Sequence, residues 1–222
     1  MEEPERIIFL IKFGKKRYLE SLLNKGELYF QSIKAFNQIE KSNKEQGDEN
    51  EGAIFIENFK NIKLTLNHPK HGEFKFKSVP DALTKLTQFN HNYLTCSFYA
   101  ITDKDFENSN IFEVDEKMSS FGGYGLIISN PKFFVESVIN YAEKENLSLQ
   151  ANKVTYLDLD KEGRIELNPF IKKKDHSYQK EYRMVIKNSL QDSKILYSDK
   201  LGDFGKIIPI PKDKKLPFKI EQ

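Results

Sequence analysis

Apolar and polar positions along this chain change period several times. Ile7 to Ile11 is a continuous apolar run that stops at Lys12-Phe13-Gly14, which predicts a buried strand ending in a glycine turn. Within Lys15 to Asn24, Tyr18, Leu19, Leu22 and Leu23 recur at helical spacing, and Gly26 supplies the stop. Glu27-Leu28-Tyr29-Phe30 returns to a short strand, and Ser32 predicts the cap of a helical turn carrying Ile33, Ala35 and Phe36. Lys41 to Gly52 is polar, with acids at Glu45, Asp48, Glu49 and Glu51, and reads as a mobile loop.

A β-rich stretch follows. Ala53 to Glu57 is strand-like, and Ile62, Leu64 and Leu66 alternate with polar residues, as do Phe74 and Phe76. Asn67 to Gly72 is the turn between them, so a hairpin is predicted. Asp81 to Phe89, after Pro80, predicts a short helix, and Tyr93 to Tyr99 has the pattern of a central strand. Thr102 to Met118 is polar and acidic, a loop with some helix. Phe121-Gly122-Gly123-Tyr124-Gly125 is a tight turn entering Leu126-Ile127-Ile128. Asn130-Pro131 opens a helix that runs through Phe133, Phe134, Val138 and Tyr141 to about Glu145. Val154 to Asp160, Lys194 to Tyr197 and Lys206 to Ile210 read as strands, before an extended end at Pro209, Pro211 and Pro217. Strands outnumber helices in a mixed order. The expectation is an α+β fold, a largely antiparallel or mixed sheet with a few flanking helices, as a single domain over residues 1–222.

The bulk composition narrows the function classes. Lys+Arg 35 against Asp+Glu 33 gives a net charge of +2, so the chain as a whole has no electrostatic case for binding nucleic acid, although a local basic patch remains open. Eighteen Phe and no Trp predict a Phe-built core. One Cys excludes an intrachain disulfide and a multi-Cys zinc site. No apolar run is long enough to span a bilayer, and the acidic start Met1-Glu2-Glu3-Pro4-Glu5 argues against a signal peptide. We therefore expect a cytoplasmic protein without a membrane partner.

Several residues could carry chemistry. His68 and His71 have a metal-like spacing, but they lie in a turn without a third ligand and read as solvated. Cys96 reads as a small buried hydrophobe. The glycine-rich turn at Phe121 to Gly125 precedes a strand, not a helix, so it is no phosphate cradle, though it can border a pocket. Asp158 and Asp160 share a strand face, suited either to a divalent metal or to solvent. Lys172-Lys173-Lys174 is a solvated or phosphate-facing basic run. In His176 to Ile186, Glu181 and Arg183 stand at i and i+2 and share a face, joined by Gln179 if the extended geometry begins that early. That face is either a polar site or an exposed sheet edge with an ion pair.

These blocks carry a resemblance over most of the chain. Gly26-Glu27-Leu28-Tyr29-Phe30 followed by Ala35-Phe36-Asn37, then Thr95-Cys96-Ser97-Phe98, then Gly123-Tyr124-Gly125-Leu126-Ile127, and finally Tyr178-Gln179-Lys180-Glu181-Tyr182-Arg183 come in the order of a large bacterial family of unknown function. Its members read G-x-L-Y-F-S-x-x-x-x-F-N-D, C-F-S, Y-G-hydrophobic and W-x-Y-E-x-E-Y-R. Gln38 and His176 depart from that pattern. The middle block is similar to abortive-infection proteins of the AbiGi type, which implies a toxin or phage-defence setting with a phage component or an antitoxin as partner. The order also resembles ADP-ribosyltransferases: a first strand with a basic residue (here Lys12, or Arg6), a helix ending in Gly, a strand with Ser or Thr, and a late catalytic Glu. That resemblance implies NAD as substrate and a protein or nucleic-acid acceptor. It makes Glu181 catalytic, has Gln179 orient the acceptor and Arg183 support Glu181, and leaves Lys12, Tyr29, Thr95 and Ser97 to hold NAD. Two other readings stand beside it: a non-catalytic module that senses a phage component, nucleotide or partner protein, and a metal-dependent nuclease using Asp158, Asp160 and Glu181.

Overall fold

The computed structural model describes residues 5–33, 48–60, 63–77, 83–90, 92–187, 189, 191–212 and 214–221. In chain order these form β1 (Ile7–Gly14), α1 (Lys16–Lys25), β2 (Glu27–Ser32), β3 (Ala53–Lys60), β4 (Lys63–His68), β5 (Gly72–Lys77), β6 (Leu83–Phe89), β7 (Tyr93–Thr102), β8 (Ile111–Val114), β9 (Tyr124–Ile128) and α2 (Pro131–Lys144). The remainder is β10 (Leu149–Lys153), β11 (Thr155–Leu157), β12 (Gly163–Glu166), β13 (Ile171–Lys173), β14 (Glu181–Lys187), β15 (Ser193–Tyr197), β16 (Gly205–Pro209) and β17 (Leu216–Lys219), with four short 3-10 turns. The fold is α+β and rich in sheet, and among the described residues every strand pair is antiparallel but one, β11 with β13.

The helices end where local chemistry ends them. Gly26 closes α1 in the left-handed region at φ 73°, its N–H donating to the Leu22 carbonyl. A Cβ at Gly26 would meet the Ser198 carbonyl oxygen at 2.1 Å, so both the conformation and the close approach demand glycine. Asn130 caps α2 by accepting from the Phe133 N–H at 3.2 Å, with Pro131 in the first turn. Phe134, Val138 and Ala142 then form its buried stripe.

The main sheet runs β10-β14-β7-β1-β9-β16, and β2 joins it by pairing with both β7 and β15. Strand β7 is the axis. Along one edge it pairs with β14 from Tyr93 to Tyr99. Two strands share its other edge: β1 pairs down to Ile11↔Tyr99, and β2 picks up at Gln31↔Thr95. Between them, Cys96, Ser97 and Phe98 take no ladder partner from either strand, and the sheet splits there. Alternation sends Leu94, Cys96, Phe98 and Ala100 into the core beneath α2, where the Phe98 and Phe134 rings meet at 5.2 Å. Thr95, Ser97 and Tyr99 fall on the opposite face.

Three expectations change. Residues 83–89 form strand β6 instead of a helix, because β3 offers a full-length antiparallel edge and Thr84 and Thr87 suit it. Asp48, Asn50 and Glu51, expected in a mobile loop, are buried. The strand expected over Val154 to Asp160 stops at Leu157. Ala35 and Phe36 of the expected capped turn, with Asn37 and Gln38, lie outside the described residues, and Ser32 is the end of β2. Among the described residues no helix is long and apolar enough to cross a membrane.

Candidate functional site

The split in the sheet opens into a cleft of about 860 Å³. Its walls include Lys12, Tyr29, Thr95, Ser97, Gln179, Glu181 and Arg183, the seven residues to which the resemblance to ADP-ribosyltransferases gives a role. Strand pairing explains the grouping. Ser97 on β7 lies opposite Arg183 on β14, and Glu181 is two positions away on the same face. Lys12 comes from β1 just past its last pair with β7. Its ammonium donates to the Ser97 carbonyl at 2.7 Å and lies over the Phe98 ring at 5.1 Å, filling the gap that the split leaves.

At the centre is a buried ionic network. One Glu181 oxygen accepts from the Ser97 hydroxyl and from Arg183 Nε at 2.7 Å; the other accepts from Lys172 Nζ at 2.9 Å. Arg183 turns its far side to Glu51 as a fork, at 2.7 Å and 3.0 Å, and also donates to the Pro169 carbonyl. Lys172 donates to Gln179 Oε1 at 2.9 Å. The Glu181 backbone N–H donates to the Tyr156 hydroxyl, and the Tyr93 hydroxyl reaches Glu51. Within this network two carboxylates, Glu181 and Glu51, face two cations, Arg183 and Lys172.

Burial alone would push the Glu181 carboxyl up. Arg183 and then Lys172 outweigh it and hold the group well below the usual carboxylate range. Glu181 is therefore an anion at neutral pH and no proton donor. Burial pulls the Arg183 guanidinium down, but Glu181 and Glu51 keep it charged. Burial pushes the Cys96 thiol up, and Lys12 at 3.3 Å from its sulfur does not reverse this, so Cys96 remains a thiol. The Glu181 oxygen that meets Lys172 has a second lone pair, the one a further donor would need.

The wider rim is largely apolar, with charges of both signs at Lys15, Glu27 and Asp48. Phe13, Tyr18, Met118, Phe121 and Ile195 add hydrophobic surface, and Lys15 stands where α1 begins. The first turn of α1 has neither an acidic residue nor a side-chain cap, so its N–H groups suit an anion.

Several site readings need correction. The exposed-edge reading of Glu181 and Arg183 fails, because β14 is flanked by β10 and β7 and both side chains are buried. Gln179 is not on the strand. It ends a 3-10 turn over Lys174–Gln179, and Lys180, at φ 38°, redirects the chain into β14. Gln179 still reaches the cleft, through Lys172. Lys172 was expected in a solvated or phosphate-facing run, yet on β13 it points inward. Lys172 and Glu51 are the members that sequence reasoning missed. Asp158 and Asp160 form a surface turn in which Asp158 accepts from the Asp160 N–H and Lys173 pairs with Asp160; neither lines the cleft. Arg6 pairs with Asp103 at the surface, so the first-strand basic residue that reaches the cleft is Lys12. His68 Nδ1 accepts from the Lys70 and His71 N–H groups, and among the described residues no trio of His, Cys, Asp or Glu is placed to hold a metal.

Compared with known proteins, the chain matches no family model, no curated protein and no solved structure.

Proposed function

We propose that the chain is an ADP-ribosyltransferase-like enzyme that takes NAD as substrate, acting as a toxin or anti-phage effector. One observation carries this reading. Lys12, Ser97 and Glu181 come from three distant parts of the sequence and meet in one cleft at the split of the central sheet. A split sheet with a basic first strand, a hydroxyl on the middle strand and a glutamate on a late strand suits an ADP-ribosyltransferase-like fold.

The chemistry follows from the charges. Cleavage of the bond between ribose C1′ and the nicotinamide nitrogen sends the bonding pair to nicotinamide, which leaves neutral. The ribosyl carbon becomes oxocarbenium-like. Glu181, already ionised and pinned by three donors, accepts a ribose hydroxyl and stabilises that positive charge without moving a proton. The acceptor then bonds to C1′ and releases its proton to solvent. Gln179, held by Lys172 at 2.9 Å, would orient the acceptor. The start of α1 with Lys15 suits the pyrophosphate, and Tyr18, Tyr29 and Phe121 offer faces for the rings.

The test is incubation with NAD labelled in the adenylate portion, with and without cell lysate or nucleic acid, following nicotinamide release and label transfer. The wild type should do both, and Glu181→Gln, matched for fold by circular dichroism, should do neither. Absence of both in the wild type, or full activity in Glu181→Gln, overturns the reading. A thermal shift with NAD but no nicotinamide release would support the sensor reading instead.

A further inference from the structure

We infer that Asp48 binds the acceptor in the cleft, and that the acceptor is a positively charged nitrogen group, a guanidinium or an ammonium. The inference rests on the transferase reading and names its substrate class. Asp48 lines the cleft and is only 6% exposed. A turn fixes its place. The Glu51 N–H donates to the Asp48 carbonyl at 2.8 Å, and Glu51 is gripped in turn by the Arg183 fork.

The Asp48 carboxylate is only half satisfied. Its Oδ1 accepts from the Asn50 backbone N–H at 2.9 Å and from Asn50 Nδ2 at 3.3 Å. Among the described residues, Oδ2 accepts no hydrogen bond and no Lys or Arg pairs with the group. Three cations of the cleft are committed elsewhere: Lys172 to Glu181 and Gln179, Arg183 to Glu181 and Glu51, and Lys12 to the Ser97 carbonyl. A carboxylate withdrawn from water is ordinarily paired, because a neutral donor does not offset its lost hydration. An open oxygen on such a charge, in the wall of a cleft, fits a cation that arrives with a ligand.

Asp48 also stands with Gln179. Burial lowers the His176 pKa, and Asp48 is the strongest charge opposing it. The same ring meets Gln179 Nε2 at 3.5 Å, so the two candidate acceptor contacts flank one imidazole. A phosphate or a nucleic-acid backbone would meet a like charge at Asp48. A hydroxyl would bond Oδ2 and leave the charge unpaired. In the transfer step one N–H bond of the acceptor breaks and its electron pair forms the bond to C1′. The proton passes to Asp48 Oδ2 and from there to solvent.

The first arm of the test omits NAD. Full-length protein is titrated with propylguanidinium, propylammonium and, as neutral control, propanol, with saturation-transfer NMR as readout. At least one cation should bind, which decides between guanidinium and ammonium, and propanol should not. Asp48→Asn keeps an oxygen for the Asn50 donors and removes the charge. It should weaken cation binding about tenfold or more while the melting temperature holds or rises, because an unpaired buried charge is lost. A carboxylate with a merely structural role would lower the melting temperature instead. The second arm adds labelled NAD to the cation that bound. Asp48→Asn should lower the ratio of label transferred to nicotinamide released about tenfold or more. Failure of both cations to bind, equal binding of propanol, wild-type affinity in Asp48→Asn, a lowered melting temperature or an unchanged ratio overturns the inference; where nicotinamide is still released, the transferase reading stands. Cation binding through Asp48 with no nicotinamide release overturns the transferase reading and the acceptor role with it.

Discussion

Glu51→Gln is the sharpest probe of the buried network. Glu51 takes both outer nitrogens of Arg183, and both side chains are buried. The amide keeps one acceptor oxygen but turns an NH₂ group toward a guanidinium that can only donate. The network then holds Lys172 and Arg183 against Glu181 alone, one positive charge in excess. Breaking one partner of a buried pair costs about 3–5 kcal/mol. For a chain of this size that corresponds to roughly 6–20 °C in melting temperature. Urea unfolding followed by far-ultraviolet circular dichroism measures the loss. The double variant with Arg183→Met should cost less than the sum of the two single changes, because both remove the same interaction. A loss below about 1 kcal/mol would place the fork with ordinary surface pairs and refute the account of the site as a desolvated charge network.

Three further outcomes are expected. The folded-state pKa of Glu181 lies below its ordinary 4.5, so its ionisation stabilises the fold in full above that pH, and the contribution is lost as pH falls further. The stability difference between wild type and Glu181→Gln should therefore shrink below about pH 4.5, and a pH-independent difference argues against it. Lys172→Met removes one cation from Glu181 and releases Gln179; NAD cleavage should fall about tenfold or more, and an acidic limb should enter its pH profile as the carboxyl pKa rises. Lys172→Met with the wild-type pH profile would remove Lys172 from the site. Gly122→Ala should destabilise by about 1–3 kcal/mol, measured by thermal melting, because a Cβ there would stand 2.5 Å from the Gly14 backbone at φ 151°.

The site was partly legible because strand alternation is a local rule. Glu181 and Arg183 had to share a face, and Thr95 and Ser97 had to share one, whatever the fold. The helices were legible for the same reason: Gly26 and Asn130 act through bonds to residues three or four positions away. What was not legible depends on distant chain. Lys172 sits in a run of three lysines, a pattern that ordinarily faces water, and only the parallel pairing of β13 with β11 fixes its direction. Glu51 lies in a polar stretch with no periodicity, and its role exists only because Arg183 needs a second carboxylate. The extended geometry does not begin early enough to include Gln179, because the left-handed residue that ends its turn is Lys180, a type that rarely announces such a bend. The 83–89 segment carries leucines at helical spacing, and a pairing edge 30 residues earlier overrode them.

The sharing of one β7 edge by two strands has a consequence for how the protein comes into being. Lys12 is made early and waits on β1; Ser97 arrives mid-chain; Glu181 and Arg183 emerge late, on the strand that closes the other side of β7. No pair of neighbouring segments can assemble the site by itself, and contacts of such long range are among the last to form during folding. A ribosome-bound or truncated chain ending before β14 has a first strand and a middle strand but lacks Glu181 and Arg183. If the cleft works as proposed, its chemistry waits for β14, and that strand is the arming step.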